Sequence, residues 1–230
     1  MNIIKVEPVS LVDWPGQIAS VIHVKGCNFN CNWCFNKDIV SFDMNGVISI
    51  GFKGVMALIP EKIDHIIITG GEPFAQHGIV EFIHKLKDEG YKVGIHTNGS
   101  FPDELAVTIY SLDYVAMDIK GYVNMYSERG FSSVASMLDV MDCLYVITDS
   151  PTPHEFRTTM FPGVTKNEVY SIANMLRHLN ADAYYLQPYI PVNGEKPKEY
   201  MSRDRINKIA RKISKEFNAK GFKTIVIARG

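Results

Sequence analysis

The chain has 230 residues, 46% of them apolar, with 24 Lys and Arg against 25 Asp and Glu for a net charge of −1. That length predicts one domain over residues 1–230, and the charge balance excludes the basic footprint of a nucleic-acid or anionic-membrane binder. Four cysteines are too few for a disulfide scaffold, no run reaches the ~20 apolar residues of a membrane span, and residues 1–7 lack a signal-peptide pattern. A reducing, cytoplasmic setting is expected.

Strand-like apolar runs alternate with segments of helical period. Residues 18–24 read as a strand, and Phe52, Val55, Met56 and Ile59 share one face of a short helix. Residues 65–69 form a β-branched run ending in Gly70-Gly71, as a buried parallel strand would. Ile79, Val80, Ile83 and Leu86 recur at helical spacing, and Gly90 closes that helix. Residues 92–97 are the next strand, and Pro102 opens a helix carrying Leu105, Ile109 and Leu112. Strand 114–119 follows, then a helix over 134–141. Residues 143–148, ahead of the turn residues that end at Pro153, predict an extra strand. Beyond it come strand 154–161, a helix through Val169, Ile172, Leu176 and Leu179, strand 183–187, helix 204–217 and strand 224–228.

Repeated βα units predict an α/β fold of parallel strands with outer helices. About six units fall short of a full eight-strand barrel, which leaves a partial (βα)6 barrel or an open doubly wound sheet. Either gathers the ligand site at the carboxyl ends of the strands.

Chemistry concentrates at those ends. Cys27, Cys31 and Cys34 follow the first strand with the spacing Cys-x3-Cys-x2-Cys, suited to a soft metal rather than to disulfides. Three thiolates instead of four leave an open coordination position on a metal group. Thr69-Gly70-Gly71-Glu72-Pro73, His96-Thr97-Asn98-Gly99 and Met117-Asp118-Ile119-Lys120 end the next three strands. Two other readings of the cysteines stand beside this one. A structural zinc site with His23 as fourth ligand leaves Gly-Gly-Glu-Pro and the Asp118/Lys120 pair unexplained. An electron-transfer protein with a four-cysteine cluster through Cys143 would rarely need so large a scaffold. Cys143 reads as a buried core residue, and Arg157 as either a site residue or a structural ion pair. Lys208, Arg211, Lys212 and Lys215 read as a solvated helix face, and His77, His84 and His178 receive no role.

The cysteine spacing with Trp33 before the third cysteine, followed by Gly-Gly-Glu-Pro, resembles the radical S-adenosylmethionine (SAM) superfamily. Asp13-Trp14-Pro15-Gly16, Gly26-Cys27-Asn28-Phe29 and Asn36-Lys37-Asp38 resemble the activating enzymes of glycyl-radical enzymes. Among these the pattern is similar to anaerobic ribonucleoside-triphosphate reductase activating proteins, with pyruvate formate-lyase activating enzymes next. The resemblance covers residues 9–189.

It implies a partial βα barrel holding one [4Fe-4S] cluster on Cys27, Cys31 and Cys34, with SAM on the fourth iron. Trp33 and Phe35 would lie beside the cofactor. Gly70, Gly71 and Glu72 would meet the SAM ammonium, and Lys120 its carboxylate. Asp118, Thr97 and Asn98 would address ribose and carboxylate oxygens, and Gln187 and Tyr189 the adenine. The implied chemistry is reductive cleavage of SAM to a 5′-deoxyadenosyl radical, which takes hydrogen from a glycine of a partner. Anaerobic ribonucleotide reductase is the favoured partner, and flavodoxin or ferredoxin the electron donor. Phe35 stands where these activators carry histidine, and His96 where pyruvate formate-lyase activators carry aspartate. A small-molecule enzyme similar to 7-carboxy-7-deazaguanine synthases is the alternative, although their segment upstream of the cysteines differs from residues 9–16 here.

Overall fold

The computed structural model describes residues 1–122, 135–191, 200–221 and 224–228. Eight strands pair in chain order: β1 (Ile3–Ser10), β2 (Ala19–Val24), β3 (His65–Gly70), β4 (Lys92–Thr97), β5 (Tyr114–Asp118), β6 (His154–Met160), β7 (Ala183–Pro188) and β8 (Ile225–Ala228). From β2 onward every pair is parallel, whereas β1 runs antiparallel to β2. The crossovers carry α1 (Phe52–Leu58), α2 (Ile79–Asp88), α3 (Pro102–Thr108), α4 (Ala135–Thr148), α5 (Lys166–His178) and α6 (Arg203–Ala219).

This order decides between the two predicted architectures. A doubly wound sheet reverses its strand order at a switch point. Here each strand pairs with the next, so right-handed crossovers place all six helices on one face. The result is a partial (βα)6 barrel, extended by a seventh parallel strand, β8, and by the antiparallel edge β1. The sequence pattern did not reveal β1. Two register shifts break its alternation, and Lys5 and Glu7 sit on an edge strand where charge is tolerated.

Alternating residues divide the strands between two cores. Ile22, Val24, Ile66, Ile68, Val93 and Ile95 join the helices in the outer core. Ala19, Val21, Ile67, Tyr114 and Ala116 face the opposite way and pack with Trp14 in the barrel interior. Trp14 belongs to the β1–β2 loop. Its ring stacks on Tyr114 at 5.3 Å and meets the edge of His65 at 4.8 Å. Gly94 makes room for it, because a Cβ there would lie 3.0 Å from the Trp14 ring and 2.6 Å from Ile67. The loop therefore closes the amino-terminal end of the barrel.

The extra strand expected over 143–148 is instead the second half of α4. Val140, Cys143, Leu144 and Ile147 are buried at helical spacing, and this periodicity outweighs the β-branched Val146-Ile147-Thr148. Val134, placed at the start of that helix, lies outside the described residues. The other elements begin and end within a few residues of expectation. Caps set two of these starts: the Thr165/Glu168 capping box on α5 and Ser202 on α6. Among the described residues no helix is long and apolar enough to cross a membrane.

Asp113, just before β5, fastens α2 to the sheet. It accepts from Val93 N at 2.8 Å and from Lys87 Nζ, and Lys92 Nζ lies at 3.3 Å. Burial opposes its ionisation, but the bonds from Lys87 and Val93 prevail and hold its pKa below the usual value. A depressed folded-state pKa contributes stability above the unfolded-chain pKa, and that stability disappears as pH falls through the folded value. Asp113→Asn should therefore cost about 1–2 kcal/mol at pH 7 in urea unfolding, with the difference closing below about pH 4. Equal unfolding midpoints at pH 7 would show that this fastening contributes nothing.

Candidate functional site

The three cysteines sit on a loop that leaves and rejoins the end of β2 at one place. Gly26 N donates to Ile39 O at 2.8 Å and Cys27 N to Val40 O at 2.9 Å. The buried Lys25 ammonium donates to the carbonyls of Ser41 at 3.0 Å and Asp38 at 3.4 Å. Phe29 is buried between the first two cysteines and anchors the loop in the outer core. All three thiols are free and line one cleft.

Parallel pairing of β2 with β3 continues past the strand ends into this loop. Gly71 N donates to Val24 O and Glu72 N to Gly26 O, both at 2.8 Å. Gly70 has φ +114°, and a Cβ there would lie 2.5 Å from Val24 O; at Gly71 it would lie 2.1 Å from Gly26 O. The resemblance assigns these glycines to close approach of SAM. The structure supplies a reason internal to the protein: the space is filled by the backbone that launches the cysteine loop.

Glu72 is fully buried, and its carboxylate accepts from Phe74 N (3.1 Å), Thr97 Oγ1 (2.8 Å) and Asn98 N (2.7 Å). Burial pushes its pKa up to about 7 despite those three bonds. Asn98 Nδ2 reaches Asn28 Oδ1 at 2.9 Å and the Cys27 sulfur at 3.8 Å. Glu72 thus braces the end of β4 against the cysteine loop.

Across the cleft, Asp118 accepts from Arg157 Nε at 2.8 Å and from Lys120 Nζ at 3.2 Å. Only 17% of the Lys120 side chain and 9% of the Arg157 side chain are accessible, so this is not a surface ion pair. Burial works against the charge on Asp118, and Arg157 then Lys120 overcome it, holding the carboxyl well below its usual range. Lys120 is likewise opposed by burial, yet Asp118 and the thiols of Cys31 and Cys27 favour its charged form. Arg157 also lies 3.4 Å from His96 Nδ1. Pairing of Asp118 with Arg157 in the β5–β6 register brings the two side chains together, which the sequence by itself does not reveal.

The cleft has a volume of about 670 Å³, within the range of small-molecule sites. Every residue singled out as a site residue lines it: the three cysteines, Trp33, Phe35, Gly70, Gly71, Glu72, Thr97, Asn98, Asp118, Lys120, Gln187 and Tyr189. Sequence reasoning passed over several further contributors, Thr159, Ile190 and Arg203 among them. Val12 and Asp13 reach the cleft from the loop that carries Trp14, and Phe161 stacks on Trp33 with ring centroids 3.4 Å apart. One face of Trp33 is therefore taken by protein.

The donor set suits a cluster better than a single ion. Among the described residues no three His, Cys, Asp or Glu side chains converge on one ion position. His23 does not line the cleft; its Nε2 lies 3.8 Å from Glu7, so the zinc quartet is not assembled. Cys143 is buried on α4 and does not line the cleft either, which removes the four-cysteine cluster. Burial, then Glu72, pushes the Cys27 thiol up to about 11, and burial raises that of Cys31. Such thiols ionise when a metal supplies the opposing charge, and a cube offers one iron to each.

The family model described as the radical SAM superfamily matches residues 21–176. A Methanocaldococcus jannaschii protein named "Putative glycyl-radical enzyme activating enzyme MJ1227" is 29% identical over 223 residues, 89% of each chain. The 7-carboxy-7-deazaguanine synthase of Clostridium acetobutylicum is 35% identical over 107 residues, 46% of this chain and 48% of its own. Streptococcus suis SuiB, solved bound to S-adenosylmethionine, superposes with a TM-score of 0.63 at 11% identity, covering 89% of this chain and 45% of that one. At that identity the likeness is one of fold.

The Gly70–Gly71 contact is open to test. Gly71→Ala should lower stability by about 1–3 kcal/mol in urea unfolding, because backbone must move to admit the methyl group. Wild-type stability in this variant would mean that the two backbones separate freely.

Proposed function

The chain belongs to the radical SAM superfamily, and we propose that within it this protein is an activase that installs a glycyl radical on a partner enzyme. Enzymes of this family use SAM and a [4Fe-4S] cluster held by three cysteines. When bound, the pair supplies reductive cleavage of SAM and abstraction of a hydrogen atom. Cys27, Cys31 and Cys34 would hold three irons. Lys120 and Asp118 would meet the carboxylate and ribose of SAM, with Thr97, Asn98, Gln187 and Tyr189 along its length. Gly70 and Gly71 would offer carbonyls to its ammonium. Glu72 would add negative charge there while its three bonds to protein hold Thr97 and Asn98 in place. Trp33, Phe35 and Phe161 would keep water from the sulfur atoms.

The observation that carries this reading is the end-to-end likeness to a relative named as an activating enzyme, 89% of both chains. The cleft adds to it. Phe35 and Ile190 line it from two separate segments, yet remain 65% and 63% exposed. Apolar side chains around an opening suit a polypeptide loop better than a free nucleotide. Anaerobic ribonucleotide reductase is the partner favoured by the motifs at 13–16, 26–29 and 36–38, and flavodoxin or ferredoxin the donor of the low-potential electron. The higher identity to a 7-carboxy-7-deazaguanine synthase, over less than half of the chain, favours a small-molecule ring contraction as the second reading.

Two experiments test this assignment. Incubation with SAM, a reductant and anaerobic ribonucleotide reductase should produce a glycyl spin signal on the reductase. No signal there, with turnover of a pterin-like substrate, would support the second reading instead. Separately, Cys31→Ala should abolish SAM cleavage and lower iron content, while Cys143→Ala should leave both near wild type. Equal losses in the two variants would bring Cys143 back as a ligand.

A further inference from the structure

A continuous path of hydrogen bonds runs from the β1–β2 loop to Lys120. His96, buried on β4, lies with Nε2 2.9 Å from the Asp13 carbonyl. A carbonyl only accepts, so Nε2 carries the hydrogen. Arg157 NH1 lies 3.4 Å from Nδ1, and a guanidinium only donates, so Nδ1 is bare. Both contacts are met by one state of the ring, the neutral Nε2–H tautomer. From Arg157 the path continues to Asp118 at 2.8 Å and from Asp118 to Lys120 at 3.2 Å. Asp13, His96, Arg157, Asp118 and Lys120 all line the cleft.

The far end of this path is firmly seated. Trp14 is wedged between Tyr114, His65 and Gly94, and Asp13 accepts from Ser10 Oγ at 2.5 Å. The loop over residues 11–17 thus forms the floor of the cleft, and Val12 and Asp13 present it to whatever enters. His96 joins that floor to the ion pairs on β5 and β6.

We propose that His96 is a positioning residue that couples the floor loop to the Asp118–Lys120 pair, so that cofactor binding and the placement of the floor are linked. This rests on the reading of Asp118 and Lys120 as SAM contacts. Linkage is reciprocal: whatever SAM does to the floor, a substrate resting on the floor does to SAM affinity. Without His96, Arg157 keeps its bond to Asp118 but loses its contact with the floor, and the link between the two is broken.

The test uses the anaerobically reconstituted holoenzyme. Hydrogen exchange at backbone amides of residues 11–17 and the SAM dissociation constant are measured in wild type, His96→Phe and His96→Gln. SAM should slow exchange of the floor amides in wild type. His96→Phe, which keeps ring volume but neither bond, should abolish that protection and weaken SAM binding roughly tenfold. His96→Gln retains a donor and an acceptor and should restore most of both effects. Floor amides indifferent to SAM in wild type would overturn the coupling, as would SAM-dependent protection surviving in His96→Phe. The wild-type arm needs no variant, so a poorly folding substitution leaves the test decisive. Lys120→Met separates the two readings. Weaker SAM binding at unchanged iron content supports Lys120 as a cofactor contact. Unchanged affinity, with floor protection still dependent on His96, removes Lys120 from the site and supports coupling through Asp118.

Discussion

The close approach of two backbones, residues 24–26 against 70–72, is the constraint from which the site follows. Two strands running in parallel normally diverge where their ladder ends. Here the ladder runs two bonds further, through Gly71 to Val24 and Glu72 to Gly26, and no side chain fits between. The cysteine loop therefore starts from a rigid base and returns to it through the Gly26–Ile39 and Cys27–Val40 bonds. Three thiols carried on a loose loop would have many arrangements to lose on binding metal; on this base they have few.

Around that base the cleft divides by charge. On one side Glu72 braces the ends of β3 and β4 through neutral donors, and burial raises its pKa. On the other, Asp118 is held ionised by Arg157 and Lys120. The two sides are therefore complementary to a ligand that bears both positive and negative groups. The arrangement also explains why charged residues are tolerated inside the barrel. Each contacts a partner of opposite charge or several hydrogen-bond donors, which offsets the cost of leaving water.

The β1–β2 loop links the two halves of the interior. Its tryptophan completes the small inner core, while its aspartate carbonyl supports His96 beneath the polar layer. Apolar packing below and hydrogen bonding above share one loop, so the height of the floor is set by the fit of Trp14.

Much of this was legible in the sequence because local chemistry determines it. Hydrophobic period gave six helices and eight strand segments, seven of which are the parallel strands of the structure, and turn residues placed the site motifs at strand ends, where any parallel α/β fold gathers them. The cysteine spacing pointed to a soft metal rather than to disulfides, and the structure leaves all three thiols free on one cleft. Long-range pairing decided the rest. The antiparallel β1 was hidden because an irregular edge strand carries weak alternation, and α4 looked like a strand at its end because Val146-Ile147-Thr148 favours one in isolation. Arg157 and His96 acquired partners only when β4, β5 and β6 came into register, and Phe161 met Trp33 only across the cleft. A sequence states which groups are present and how far apart they lie along the chain; which of them touch is determined by the folding of strands distant in that order.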